Sequence, residues 1–232
     1  MQNSPAAVHI QNLKFAYKLG VTVLEIPELT IARGETVFLF GPSGSGKTTL
    51  LGLLAGILHS TEGTLSVLGQ NLNTLSGTAR DTLRASHMGY IFQMFNLIPY
   101  LNVLENILLP CRMNAERRAR LKGESLEQGA ERLASHLGIA QLLHKKVTEL
   151  SVGQQQRVAA ARSLLGAPEL IIADEPTSAL DSDHREQFLQ LLFAECRARN
   201  STLIFVSHDR QLMPLFERSL SLPELNRVAG GK

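Results

Sequence analysis

The chain has 232 residues, of which 44% are hydrophobic and 19% charged, with a formal net charge of +2. That composition is ordinary for a globular protein with a buried core, and the length suits one large domain or two small ones. The nearly balanced charge makes no case for a nucleic-acid surface, and no apolar run reaches the roughly 18 residues of a membrane-crossing helix.

Cys111 and Cys196 lie far apart and fit no metal or redox spacing, so they read as reduced cytosolic thiols. The first ten residues lack the basic and apolar regions of a secretion signal. A protein of this kind that works at a membrane is expected to dock onto something that spans it.

In chain order, 8–17 alternates loosely through Val8, Ile10, Leu13, Phe15 and Tyr17 and predicts a strand. Residues 21–31 predict a second, with Pro27 pointing to an edge or a bulge. The apolar run 36–40 reads as a buried strand, and 49–58 as a buried helix. A short strand is expected over 63–68, a polar helix over 76–84 with Ser76 as a cap, and a strand over 88–92 ending at Gln93. From Met94 to Pro110 the chain is apolar but interrupted by Pro99, Asn102, Glu105 and Asn106. That stretch predicts a loop and a short helix on a surface.

Residues 114–122 carry Glu116, Arg117, Arg118, Arg120 and Lys122, which reads as a solvated helix face, with a docking patch as the other reading. Helices are expected over 126–143, with Gly138 as a C-cap, over 152–165 and over 182–199. Strands are expected over 170–173, 202–206 and 218–222, and the tail 227–232 is expected to fray. Strands alternating with helices predict a parallel sheet with helices on both faces, interrupted by a helical stretch. The expected division is an α/β core of 1–93 and 166–232 with an inserted helical subdomain, 94–165.

The segment Gly41-Pro42-Ser43-Gly44-Ser45-Gly46-Lys47-Thr48 matches G-x-x-x-x-G-K-[ST] between a predicted strand and a helix that opens at Thr49. Glycines let backbone N–H groups turn inward around a polyphosphate, and the following helix start adds unpaired donors. Lys47 is placed to act on the β- and γ-phosphates, and the Thr48 hydroxyl is a Mg²⁺ ligand. The run 170–176 is an apolar strand ending in Asp174 and Glu175. Beside a phosphate loop, Asp174 suits Mg²⁺ and Glu175 suits the attacking water. Ser207-His208-Asp209 follows another apolar strand. A histidine there is commonly a surface residue, but an imidazole at that edge can bond a γ-phosphate. Ser151 and Gly153 open a helix that can hold an anion; standing alone, the stretch reads as an ordinary capped helix.

With these motifs in this order, the chain resembles the ATP-binding cassette (ABC) ATPases over nearly its whole length. The phosphate loop, Gln93, the signature LSVGQQQRV, the strand LIIADEP, the turn Ser178 to Asp181 and the turn at His208 all follow the family's order. Residues 92–110 are similar to the cassettes of lipoprotein-release and macrolide-efflux type. The resemblance implies a RecA-like parallel core, an N-terminal antiparallel β-subdomain and a helical subdomain. It implies Mg²⁺-dependent ATP hydrolysis, with Tyr17 stacking on adenine and Gln93 touching the metal and the water. Ser151, Gly153 and Gln154 would reach ATP held by the other copy of a head-to-tail homodimer, and Asp181 would communicate across it.

The implied setting is the cytoplasmic side of the inner membrane, with a membrane-spanning permease docked near Gln93 to Pro110. The resemblance leans towards export or extraction and leaves room for a periplasmic adaptor. One departure is Val152, where the signature usually has glycine, and altered packing is expected there. The Asp-Gly turn usual after the last strand is missing, so no C-terminal regulatory domain is expected. Alternatives are an ATP-binding scaffold of a cell-division complex, a soluble cassette acting on DNA or ribosomes, and a P-loop GTPase or kinase. No nucleic-acid partner is expected, and no Asn-Lys-x-Asp guanine reader is present.

Overall fold

The structure is a computed structural model that describes residues 6–18, 20–178 and 182–228. In chain order the strands and helices are β1 (Ala6–Lys18), β2 (Val21–Ala32), β3 (Thr36–Phe40), α1 (Lys47–Leu54), β4 (Glu62–Val67), β5 (Gln70–Asn71), α2 (Gly77–His87) and β6 (Met88–Ile91). There follow α3 (Val103–Met113), α4 (Ala115–Ala119), α5 (Leu126–His136), α6 (Val152–Leu164), β7 (Leu170–Asp174), α7 (Ser182–Arg199), β8 (Thr202–Val206), β9 (Arg218–Ser221) and α8 (Leu222–Leu225). They form two compact units, one bounded by Met1–Arg84 and Thr202–Lys232, the other by Ala85–Ser201.

In the first unit, β1 and β2 pair antiparallel, with Ile10 opposite Leu29 and Phe15 opposite Leu24. The sheet order β2-β1-β4-β5 puts β2 at an edge. Pro27 thus lies in an edge strand, the place in a sheet where a missing N–H is tolerated. The strands β8, β3 and β9 are parallel, β3 lying between the other two. β8 is buried along its whole length and β3 over Thr36–Leu39, which is why each reads as a continuous apolar run and not an alternating one. Phe38, Phe205 and Phe216 pack ring to ring at 5.2–6.3 Å.

Helix α1 is shorter than the expected 49–58. Gly56 adopts φ 67, and Ile57 and Gly56 donate N–H to the Gly52 and Leu53 carbonyls, closing the end. The tail expectation is corrected at its start: the Arg227 N–H bonds the Glu25 carbonyl at 2.9 Å, and the Val228 N–H bonds Asn226 Oδ1.

In the second unit, β6 and β7 pair parallel, Met88 opposite Leu170 and Ile91 opposite Ala173. Helices α3, α5 and α6 pack on one another around Ile107, Leu108, Ala130, Leu133, Val158 and Ala161, all buried. The loop and helix expected over 94–110 are present, with the helix running on to Met113. The polar residues read as interruptions start a helix of 11 residues: Asn102 and Glu105 form a reciprocal capping box. Asn106, fully buried, ties the Ile98 N–H and the Ile98 carbonyl to the helix.

The expectation for 114–122 is corrected. Helix α4 has only five residues, and Arg117 at its centre is 3% exposed. Its guanidinium donates to the carbonyls of Leu165 (2.8 Å), Met88 (2.6 Å) and Ser163 (2.5 Å). Two of those are orphan acceptors at the end of α6, which a cation satisfies better than water in a closed core. Burial pulls the guanidinium's pKa down to about 10, so it remains cationic at neutral pH. Helix α5 ends as expected at Gly138, φ 67, with the Ile139 N–H on the Ala134 carbonyl.

Candidate functional site

The phosphate loop joins β3 to α1. Leu39 pairs with Val206 and Phe40 with Ser221, so the segments after β3, β8 and β9 leave the sheet at one end. The loop's glycines have separate reasons. Gly46 sits at φ 100, and a Cβ there would lie 2.7 Å from Leu24 Cδ2. A Cβ at Gly41 would lie 2.7 Å from Ser45 Oγ. Gly44, at φ 79, faces open space.

Helix α1 begins at Gly46 with no side-chain cap and no acid in its first turn. By contrast α3, α5 and α6 all carry capping boxes. The first N–H groups of α1 are thus left to an outside acceptor, and the helix dipole favours an anion. The Ser45 hydroxyl is buried and has no partner among the described residues. Among those residues Lys47 has no carboxylate partner; its Nζ donates to the Gly41 and Pro42 carbonyls at 2.9 and 3.1 Å. The cation is parked within its own loop. Pro42, Ser43 and Thr48 are exposed and Thr49 is buried.

Tyr17, 63% exposed, hangs from β1 with its hydroxyl 3.1 Å from Thr49 Oγ1 and its ring edge-on to Phe15. An exposed aromatic face fixed to the first turn of α1 suits stacking by a base. His208 is exposed two residues after β8, and the Ser207 N–H bonds the Leu39 carbonyl. The structure therefore brings Tyr17, the loop and His208 to one end of the first unit.

In the second unit, the β6–β7 register brings Gln93 and the pair Asp174–Glu175 to the same strand ends. Glu175 is held at φ 48, a conformation that non-glycine residues avoid and that recurs at functional sites. Tyr90 stacks on Phe92 at 4.2 Å, and burial followed by the charge of Asp174 raises its phenol's pKa. Ser151 caps α6: its Oγ accepts from the Gln154 N–H at 3.4 Å, and the Gln154 side chain accepts from the Ser151 N–H at 3.0 Å. Ser151 is exposed and Val152 is 47% exposed, so the extra side chain at Val152 meets solvent within this chain. Asp181 lies outside the described residues.

No cluster of three or more His, Cys, Asp or Glu side chains able to hold a metal exists among the described residues. A hard ion such as Mg²⁺ takes one or two protein oxygens plus phosphate and water. Thr48, Gln93 and Asp174 each offer such an oxygen.

The stretch after Gln93 shows what sequence reasoning missed. Phe95 and Asn96 both have positive φ, 57 and 48. Arg162 of α6 donates to both of their carbonyls, at 2.6 and 2.7 Å. Phe92, Leu109, Pro110 and Met113 line a cavity of about 250 Å³ together with Arg117 and Arg162. Met94 and Tyr100 are 81% and 80% exposed. An arginine on the polar side of a predicted helix gave no hint of this role; only its partners reveal it.

Residues 24–178 match the family model described as "ABC transporter". The chain is 42% identical to the uncharacterized ABC transporter ATP-binding protein YbbA of Escherichia coli (strain K12), over 93% of each. It is 36% identical to the lipoprotein-releasing system ATP-binding protein LolD of Hydrogenovibrio crunogenus, over 95% of each. Among solved structures it is similar to the ATP-binding cassette MJ0796 in a dimeric post-hydrolysis state bound to ADP and Pi. The TM-score is 0.82 and the identity 35%, covering 92% of this chain and 93% of that one.

Proposed function

The chain belongs to the ABC transporter family of ATP-binding proteins, and from that premise we propose a subunit that closes as a pair on ATP and drives a separate membrane-spanning permease. Its fold is that of the family's cassettes, and ATP hydrolysis is the family's reaction. One observation carries the proposal: α1 starts bare, with an uncapped N-terminus and a buried Ser45 hydroxyl without a partner among the described residues, where α3, α5 and α6 carry capping boxes. Such a start is complete only with a phosphate in it.

In this reading the loop N–H groups from Gly41 to Thr49 wrap the phosphates. Lys47 leaves the Gly41 and Pro42 carbonyls for the β- and γ-phosphate oxygens. The Tyr17 ring carries the adenine. Thr48, Asp174 and Gln93 would hold Mg²⁺, which when bound neutralises charge on the phosphate oxygens. Glu175 accepts a proton from the attacking water and directs its lone pair at the γ-phosphorus. His208 donates a hydrogen bond to a γ-phosphate oxygen, and Gln93 orients the water. Ser151, Gly153 and Gln154 of a second copy close on the same γ-phosphate, and Asp181 relays between copies. The dimeric, ADP- and Pi-bound state of the solved relative supports the pairing.

The permease is placed at Gln93 to Pro110, on the cytoplasmic side of a membrane. The exposed Met94 and Tyr100 support that dock, and no helix among the described residues is long and apolar enough to cross the bilayer by itself. Residues 94–165 act as the helical subdomain and 1–93 with 166–232 as the core. The lipoprotein-releasing relative supports export or extraction over import.

Glu175→Gln tests the assignment. It is expected to bind ATP, to lose about 10²-fold or more in turnover, as removal of a general base does, and to run as a dimer in ATP on gel filtration. A monomer with normal turnover refutes the catalytic assignment. A wild-type protein that binds ATP and never hydrolyses it, alone or in its membrane complex, favours the scaffold reading.

A further inference from the structure

The segment after β9 docks beneath the phosphate loop. Helix α8 follows β9 directly, and Pro223 Cδ lies 3.2 Å from where a Cβ on Gly41 would sit. Asn226, the residue after α8, is 2% exposed. Its amide uses its full capacity. Oδ1 accepts from the Glu25 N–H at 2.9 Å and the Val228 N–H at 3.3 Å. Nδ2 donates to the Val23 carbonyl at 3.0 Å and to the Ser45 carbonyl, within the phosphate loop, at 3.4 Å. The backbone supports the same contact: the Arg227 N–H bonds the Glu25 carbonyl, and the Asn226 N–H closes α8 on Leu222.

β2 touches the loop as well, since Leu24 packs where Gly46 lacks a side chain. One buried amide therefore joins three things: the loop at Ser45, the strand β2, and the chain end. β2 pairs with β1, and β1 carries Tyr17.

We propose that Asn226 is a positioning residue for nucleotide binding, which fixes the phosphate loop relative to the β1–β2 hairpin that carries the Tyr17 ring. This rests on the nucleotide reading above. The turn at Ser45, whose N–H closes on the Pro42 carbonyl at 3.3 Å, keeps the loop's shape only while the Ser45 carbonyl is anchored by Asn226. Asparagine suits the position because two acceptors and two donors face it from fixed backbone. Aspartate has the same shape but no donor, and it would set a carboxylate against the Val23 and Ser45 carbonyls. The loop would then sample orientations that do not cradle phosphate, and ordering it would fall to the nucleotide.

The test is steady-state ATP hydrolysis and equilibrium ATP binding by the full chain, comparing wild type, Asn226→Asp, Asn226→Ser and Lys47→Ala. For both Asn226 variants the expected result is a KM and an ATP Kd raised about tenfold, with kcat within about threefold, because the loop acts in binding before chemistry. A purely structural Asn226 would lower Tm and leave the KM of the folded enzyme unchanged; that result overturns the proposal. Should Asn226→Asp not fold, Asn226→Ser is read by the same criterion. Lys47→Ala separates the two levels. If wild type and Lys47→Ala alike bind no ATP, the nucleotide reading itself has failed. If Lys47→Ala loses ATP while both Asn226 variants keep wild-type KM, only the role of Asn226 has failed.

Discussion

Replacing Arg117 by methionine removes a buried cation from three backbone carbonyls, and its cost can be worked out. The three charge-assisted bonds, to Leu165, Met88 and Ser163, are each of a kind that contributes about 1.5–3 kcal/mol. Their gross loss is about 5–9 kcal/mol, and the relief of desolvating a guanidinium returns several kcal/mol of that. The net loss is about 3–5 kcal/mol, which matches the usual effect of removing one partner of a buried ionic contact. Methionine keeps the bulk, so little of this is cavity. Residue 166 is at φ 78 with Arg117 Cγ 2.5 Å from its ideal Cβ, so the backbone has little room to shift and satisfy the carbonyls otherwise. Urea unfolding followed by circular dichroism measures it. With a slope of about 2 kcal/mol per molar, the midpoint of the Ala85–Ser201 unit should drop by about 1.5–2.5 M. A loss under about 1 kcal/mol would show that the carbonyls find other partners and that Arg117 is the solvated residue its neighbours suggest.

The remaining predictions concern backbone, titration and the post-Gln93 turn. Gly63→Ala should destabilise by more than about 2 kcal/mol, because φ is 82 and the new Cβ would lie 2.2 Å from the Asn12 carbonyl oxygen; a Tm within 2 °C of wild type, about what a sub-kilocalorie change produces, would contradict this geometry. Burial, then the charge of Glu195, pushes the Cys196 thiol up to about 12 from an ordinary 9.0. The unfolded chain therefore releases this proton first, and stability should fall between about pH 9 and pH 12, by about 1 kcal/mol per pH unit. Cys196→Ala should flatten that slope in urea titrations at several pH values, and an unchanged slope counts against it. Asn96→Gly should leave stability within about 0.5 kcal/mol, while Asn96→Val should cost about 1–2 kcal/mol, because its φ of 48 suits glycine and asparagine but not a β-branched residue; thermal unfolding of the two variants decides, and equal Tm values would refute the strain at this turn.

The chemistry-bearing motifs were legible because each is local in the chain. A phosphate loop needs its glycines and its lysine within eight positions, and an acid pair needs only an apolar strand before it. The reading of Gly41 to Thr48, of Gln93, and of Asp174 and Glu175 as the ends of two strands rests on that locality. So does the alternation in β1 and the unbroken apolar runs in β3, β7 and β8, since burial on one face or two imposes the period directly.

What the local pattern hid was the fate of polar residues whose partners are far away in sequence. Asn102 and Glu105 read as interruptions until they were seen to cap α3. Arg117 sits in a run of charges like those of any solvated helix, yet its acceptors lie 29 to 48 residues away. Arg162 holds carbonyls 66 and 67 residues away, and Asn226 reaches back 201 residues to Glu25. A polar side chain is buried only where the fold leaves backbone donors and acceptors without partners, and which ones are left is decided when distant segments meet. The amino-acid sequence by itself determined which stretches carry the residue types that suit a phosphate; the tertiary structure alone decided that Arg117, Arg162 and Asn226 are tied to backbone groups far away in the chain.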